Sequence, residues 1–110
     1  MGNLLSTVDD FAAETGAPVA VDEFGVVRYA PNAAQFMDDS MGLFEACGMN
    51  HSLWEWSAAY RPFVSEVNAF TFRFGPEVGN VSDIPNDLMD VILEHWSQNT
   101  IRPSDVPWGK

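Results

Sequence analysis

Residues Phe70-Thr71-Phe72-Arg73-Phe74-Gly75-Pro76-Glu77-Val78-Gly79 alternate three phenylalanines with polar residues and then break at glycine and proline. Alternation with a period of two marks a half-buried strand, because successive strand side chains point to opposite faces. The spacing predicts a strand over 70–74 with Phe70, Phe72 and Phe74 on its core face, a turn over 75–79 and a short partner strand at Asn80-Val81. Upstream, Val19-Ala20-Val21 and Val26-Val27-Arg28-Tyr29 flank the acidic turn Asp22-Glu23-Phe24-Gly25 and read as a second hairpin.

Helical patterns surround these strands. Leu4, Leu5, Val8, Phe11 and Ala12 recur at helical spacing up to Gly16, which supplies a stop. Ser52, with Glu55 three residues on, reads as an N-cap before Leu53, Trp56, Ala59, Tyr60 and Phe63. Ser82 or Asp83 is the expected cap of a last helix whose apolar face is Leu88, Met89, Ile92, Leu93 and Trp96. Periodicity does not decide residues 31–50: Ala33, Ala34, Phe36 and Met37 suggest a helical turn, and 41–47 suit either a strand or a second helical piece. The expected fold is α+β, a small antiparallel β-sheet packed with about three α-helices. It forms one domain over 1–98 with an irregular C-terminal tail, 99–110.

Charge is the strongest compositional signal. The 110 residues hold 16 Asp and Glu against five Lys and Arg, a formal net charge of −11. Such a surface repels nucleic acid and anionic membranes, whose binding rests on basic side chains. The expected partner is another protein with a basic or an extended apolar surface. A content of 46% hydrophobic and 13% aromatic residues is that of a folded chain, not of a disordered acidic tail. No apolar run reaches the ~20 residues of a membrane span, the first five residues lack the pattern of a signal peptide, and Cys47 has no partner cysteine. These features point to the cytoplasm.

No catalytic constellation is expected. The chain has no glycine-rich phosphate loop, and Cys47, His51 and His95 lack the spacing of a metal set or of a nucleophile with its base. The catalytic, metal and cofactor assignments are therefore none. Two features stand above background. Asp83, Asp87, Asp90 and Glu94 are spaced four, three and four apart, which puts them on one face of the expected last helix. That face either meets a basic partner or is simply solvated. Trp54, Trp56, Tyr60 and Phe63 cluster around the expected second helix as partner-binding or dimer-forming aromatics. Trp54 and Trp56 are separated by about 200° on a helix, so one of them is free to anchor a partner or to cover the core rim.

The segment Leu4-Leu5-Ser6-Thr7-Val8-Asp9-Asp10-Phe11-Ala12-Ala13-Glu14-Thr15-Gly16-Ala17-Pro18, leading into Val19-Ala20-Val21-Asp22-Glu23-Phe24-Gly25-Val26-Val27, resembles the start of the class I type III secretion chaperones. Phe72-Arg73-Phe74-Gly75-Pro76-Glu77-Val78-Gly79-Asn80-Val81 is similar to that family's late hairpin, and the resemblance covers about half the chain. It implies a small acidic homodimer that binds the N-terminal region of an exported effector in apolar grooves, with Trp56, Tyr60 and Phe63 at or near the dimer face. The alternative is a small acidic inhibitor, either a phage anti-defence or anti-CRISPR protein acting as a nucleic-acid mimic or a toxin immunity protein, that blocks a basic nucleic-acid-binding surface.

Overall fold

The computed structural model describes residues 2–56 and 64–99. Among these, the order is α1 (Gly2–Thr15), β1 (Ala20–Phe24), α2 (Ala33–Ala46), β2 (Asn50–Leu53), α3 (Val64–Phe70), a 3-10 turn (Phe72–Phe74) and α4 (Asp87–Ser97). The residues beyond 99 read as an irregular tail lie outside this description.

The antiparallel sheet expected from the hairpin patterns is not formed. The described sheet has two strands, β1 and β2, and they run parallel. Ala20 pairs with Asn50 and Val21 with His51, and one extra residue in β1 then brings Phe24 opposite Leu53. Parallel partners cannot be joined by a tight turn and need a long crossover, which α2 supplies. Residues 31–50, undecided by periodicity, hold this crossover helix and the first residue of β2. The helix follows Asn32 in a left-handed conformation (φ 59°). It closes where the amides of Cys47, Gly48 and Met49 donate to the carbonyls of Leu43, Glu45 and Phe44, with Gly48 at positive φ.

The expected first hairpin therefore loses its second arm. Val26 to Tyr29 leave the sheet, the Arg28 amide donates to the Ala69 carbonyl at 2.8 Å, and Ala30 closes a turn onto Val27. The expected strand over 70–74 is also absent. Phe70 ends α3, and Phe72–Phe74 form a single 3-10 turn capped by Gly75 at φ 74°, ψ −172°. That backbone region is essentially open to glycine alone. Asn80-Val81 is irregular, and the helix expected to start at Ser52 gives way to β2 and an irregular stretch through Trp56.

Two apolar clusters hold these elements. Met37 and Met41 of α2, Ile92 and Leu88 of α4, Phe72 and Ala33 form the main core, and Met37, Met41 and Ile92 are completely buried. Each such side chain contributes on the order of 2 kcal/mol from burial. Leu5 of α1 packs with Phe44 and Met49 in a second cluster, and the half-buried Phe24 of β1 touches both. Phe72 thus reaches Leu88, Ile92 and Trp96 as the alternating pattern requires, but from a 3-10 turn. Phe70 and Phe74 remain half-buried.

Candidate interaction face

The cap of α4 is Asn86. Its extended backbone turns the side chain back to accept from the Met89 amide at 2.9 Å, and its Nδ2 donates to the carbonyls of Phe72 and Ile84. One side chain thereby starts the helix and ties it to the 3-10 turn. The helix begins four residues later than a cap at Ser82 would place it and three later than one at Asp83, so the acidic row is shorter than its spacing implied. Asp87, Asp90 and Glu94 lie exposed on α4 with the exposed Leu93 among them. Asp87 and Asp90 occupy the first turn, where negative charge also complements the helix dipole.

Asp83 stands off the helix and belongs to a different arrangement. Its Oδ2 accepts from Arg73 Nη1 at 2.6 Å, and Arg73 Nε donates to the Trp56 carbonyl at 2.8 Å. The same guanidinium lies over the Trp56 ring, 4.7 Å from its centre. Trp56 meets Phe72 edge-on at 5.8 Å and Trp96 at 6.3 Å, and Phe72 meets Trp96 edge-on at 6.0 Å. Despite these contacts Trp56 remains 55% exposed. The result is an aromatic plate braced by a cation, with an exposed carboxylate at its edge.

Of the aromatic candidates, Trp56 is thus placed at the surface. Trp54 is half-buried, and its amide donates to the Phe24 carbonyl at 2.8 Å, extending the β1–β2 pairing. Tyr60 and Phe63 lie outside the described residues. The structure brings Trp56 and Asp83 together through Arg73, which in the sequence is only an alternating polar position between Phe72 and Phe74. An arginine beside an aromatic run is a weak signal, and its partners become visible only when the turn geometry is known.

Glu55, next to Trp56, is buried. Burial raises its carboxyl pKa, and the Thr71 hydroxyl and the Arg73 charge oppose that rise. Thr71 Oγ1 lies 3.1 Å from Glu55 Oε1 and 3.0 Å from the Val67 carbonyl. A hydroxyl carries one hydrogen, so Thr71 donates either to Glu55 or to the Val67 carbonyl, and only the first bond favours the charged carboxyl.

Trp96 also lines a pocket of about 420 Å³ with Glu45, Met49, His51 and His95. Among the described residues, no group of three or more His, Cys, Asp or Glu is arranged to hold a metal ion. Nor is any helix among them long and apolar enough to cross a membrane. Compared with known proteins, the chain matches no family model, no curated protein and no solved structure.

Proposed function

We propose that this chain is a non-catalytic acidic binding module of the cytoplasm, whose partner is a protein with a basic surface. The observation that carries the reading is the exposed Trp56, held by Arg73 and Trp96 in one chain of contacts that ends at the Asp83 carboxylate. Large aromatic rings dominate binding energies at protein interfaces, and a ring already braced loses little freedom on docking. The exposed Asp87, Asp90 and Glu94 and the net charge of −11 add long-range attraction toward a basic partner. Carboxylates presented in this way suit a protein surface that otherwise contacts phosphates, the inhibitor reading of the sequence. The test is affinity capture from the native host with the wild type and with Trp56→Ala. A basic protein retained by the wild type and lost with the variant supports the reading, and capture unaffected by Trp56→Ala removes Trp56 as the anchor.

A chaperone-like role is the second reading, and a separate observation favours it. Phe36 and Leu43, two turns apart on α2, are both exposed, and Phe11 of α1 is 56% exposed. Such apolar positions suit an extended effector segment or a second copy of the chain. The hairpins that suggested the chaperone family are not formed, so this reading rests on those surfaces alone. A light-scattering mass equal to the dimer, reduced to the monomer by Leu43→Asp, favours it.

A further inference from the structure

Asp38 and Glu45 are seven residues apart on α2, so two helical turns bring them to one face. His95 of α4 lies between them. Its Nε2 is 2.7 Å from Asp38 Oδ1, and its Nδ1 is 3.0 Å from both Glu45 oxygens. An ionised carboxylate only accepts, so each ring nitrogen must carry a hydrogen, and the geometry is that of an imidazolium. A neutral ring would keep one of these bonds and turn a lone pair toward the other carboxylate.

His51 of β2 has the opposite surroundings. Its ring meets Phe24 edge-on at 5.3 Å and Phe44 at 5.8 Å, while its Nε2 is 3.8 Å from Glu45 Oε1. Its Nδ1 is buried without a hydrogen-bond partner among the described residues. Protonating that nitrogen would bury a donor with nothing to accept it and would place a second cation beside His95. The titratable groups facing the two rings are Asp38 and Glu45 from α2, and each histidine from the other's element.

We propose that His95 and His51 form a two-sided pH latch joining α2, β2 and α4, complete only while His95 is charged and His51 is neutral. The latch does not depend on what the acidic face binds. On His95 burial disfavours the charge, but the hydrogen bonds and charges of Asp38 and Glu45 outweigh it and hold the pKa above 6.5. On His51 burial dominates, and the pKa falls below 6.5 despite Glu45. The stability supplied by His95 is fully present below 6.5 and is lost as pH rises through its raised folded value. His51 acts on the acid side: below 6.5 the unfolded chain takes up a proton that the folded ring resists, and the loss continues until its lowered folded value is passed. The latch is strongest near the ordinary histidine value. On either side it loosens the wall of the pocket that Glu45, His51 and His95 share with Trp96.

The test is an NMR titration of the two histidine rings in the wild-type protein, with urea unfolding of the wild type, His95→Gln and His51→Phe across about pH 5–8.5, the range in which histidine changes charge. Comparison with each variant cancels the slope contributed by the many carboxylates. The expected result is that His95 titrates above 6.5 and His51 below it. The advantage of wild type over His95→Gln should shrink as pH rises, and any advantage of His51→Phe should grow as pH falls. Rings that titrate together, or in the reverse order, overturn the latch. So do stability differences that stay flat with pH. If either variant fails to fold, the wild-type titration decides alone.

Discussion

Arg28 Nη1 donates to the Gly75 carbonyl at 2.6 Å, and this residue is 2% exposed with no carboxylate among its hydrogen-bond partners in the described residues. Its other hydrogen bonds among the described residues go to the carbonyls of Asn68, Phe74, Glu77, Val78 and Asn80 and to the Asn68 side-chain oxygen. A single cation thus gathers the segment 74–80, which has no ladder or helix of its own to satisfy its carbonyls. Burial lowers the Arg28 pKa, and the ring of oxygens stands in for the lost water. Replacing it by Met should cost about 3 kcal/mol, because the buried Gly75 carbonyl and several part-buried ones lose a charged donor at once. Lys, with three donors against five, should rescue only part of this. Urea denaturation measures both, and a cost under about 1 kcal/mol for Arg28→Met would show that water replaces the guanidinium freely.

Gly75 adopts φ 74°, ψ −172°, and a Cβ there would lie 2.8 Å from Ile84 Cγ2. Gly75→Ala should therefore destabilise by about 1–3 kcal/mol from backbone strain, with the overlap in addition. Adding Ile84→Ala removes the overlap and leaves the strain, so the double variant should recover only part of the loss in thermal melts. Full recovery would mean that the backbone conformation costs nothing.

Glu55 offers a pH test with the opposite sign to most carboxylates. Its folded pKa is raised, so the folded chain holds a proton that the unfolded chain has released, and this site gains stability as pH falls through the folded value. Glu55→Gln mimics the protonated form. It should be more stable than wild type at neutral pH, with an advantage that disappears in acid as the wild-type residue becomes protonated. Chemical denaturation at the two pH values decides it, and a variant less stable at neutral pH would mean that the Arg73 charge, not burial, governs this carboxyl.

Neutralising Asp87, Asp90 and Glu94 to Asn, Asn and Gln removes two opposed effects. Repulsion between neighbours costs a few tenths of a kcal/mol per pair, while the first-turn acids gain a similar amount from the helix dipole. The triple variant should stay within about 0.5 kcal/mol of wild type. Its association with the captured basic partner should slow and lose salt dependence, since rim charges act on the on-rate. Stopped-flow or surface-based kinetics at two salt concentrations measure this, and unchanged rates would assign the face to solvation.

The row 70–74 shows why part of the fold was illegible. Three phenylalanines two residues apart fit a strand, yet over five residues the same row also fits the end of a helix running into a 3-10 turn. Phe72 reaches the core in either case, so burial does not separate them. The acidic row failed at Asp83 for a related reason: the helix starts at the residue whose side chain satisfies one of its free amides, and Asn86 does this for Met89 from an extended backbone. Of the candidate site, the exposed α4 carboxylates and a surface tryptophan were legible. The Arg73 bridge and the two-histidine latch were not, because each joins residues on separate elements.

By itself the sequence determined the acidity, the amphipathic α1 ending at Gly16, and the α4 face on which Leu88 and Ile92 are buried. Charge is a sum over residues, and helical amphipathicity is a local period, so neither needs a partner to be read. Only the tertiary structure decided that β1 pairs with β2 in parallel across α2, that Arg28 gathers the carbonyls of residues 74–80, and that Trp56 and Asp83 share one arginine. Those relationships depend on which distant groups can satisfy one another when water is excluded, and that is settled by packing the whole chain at once.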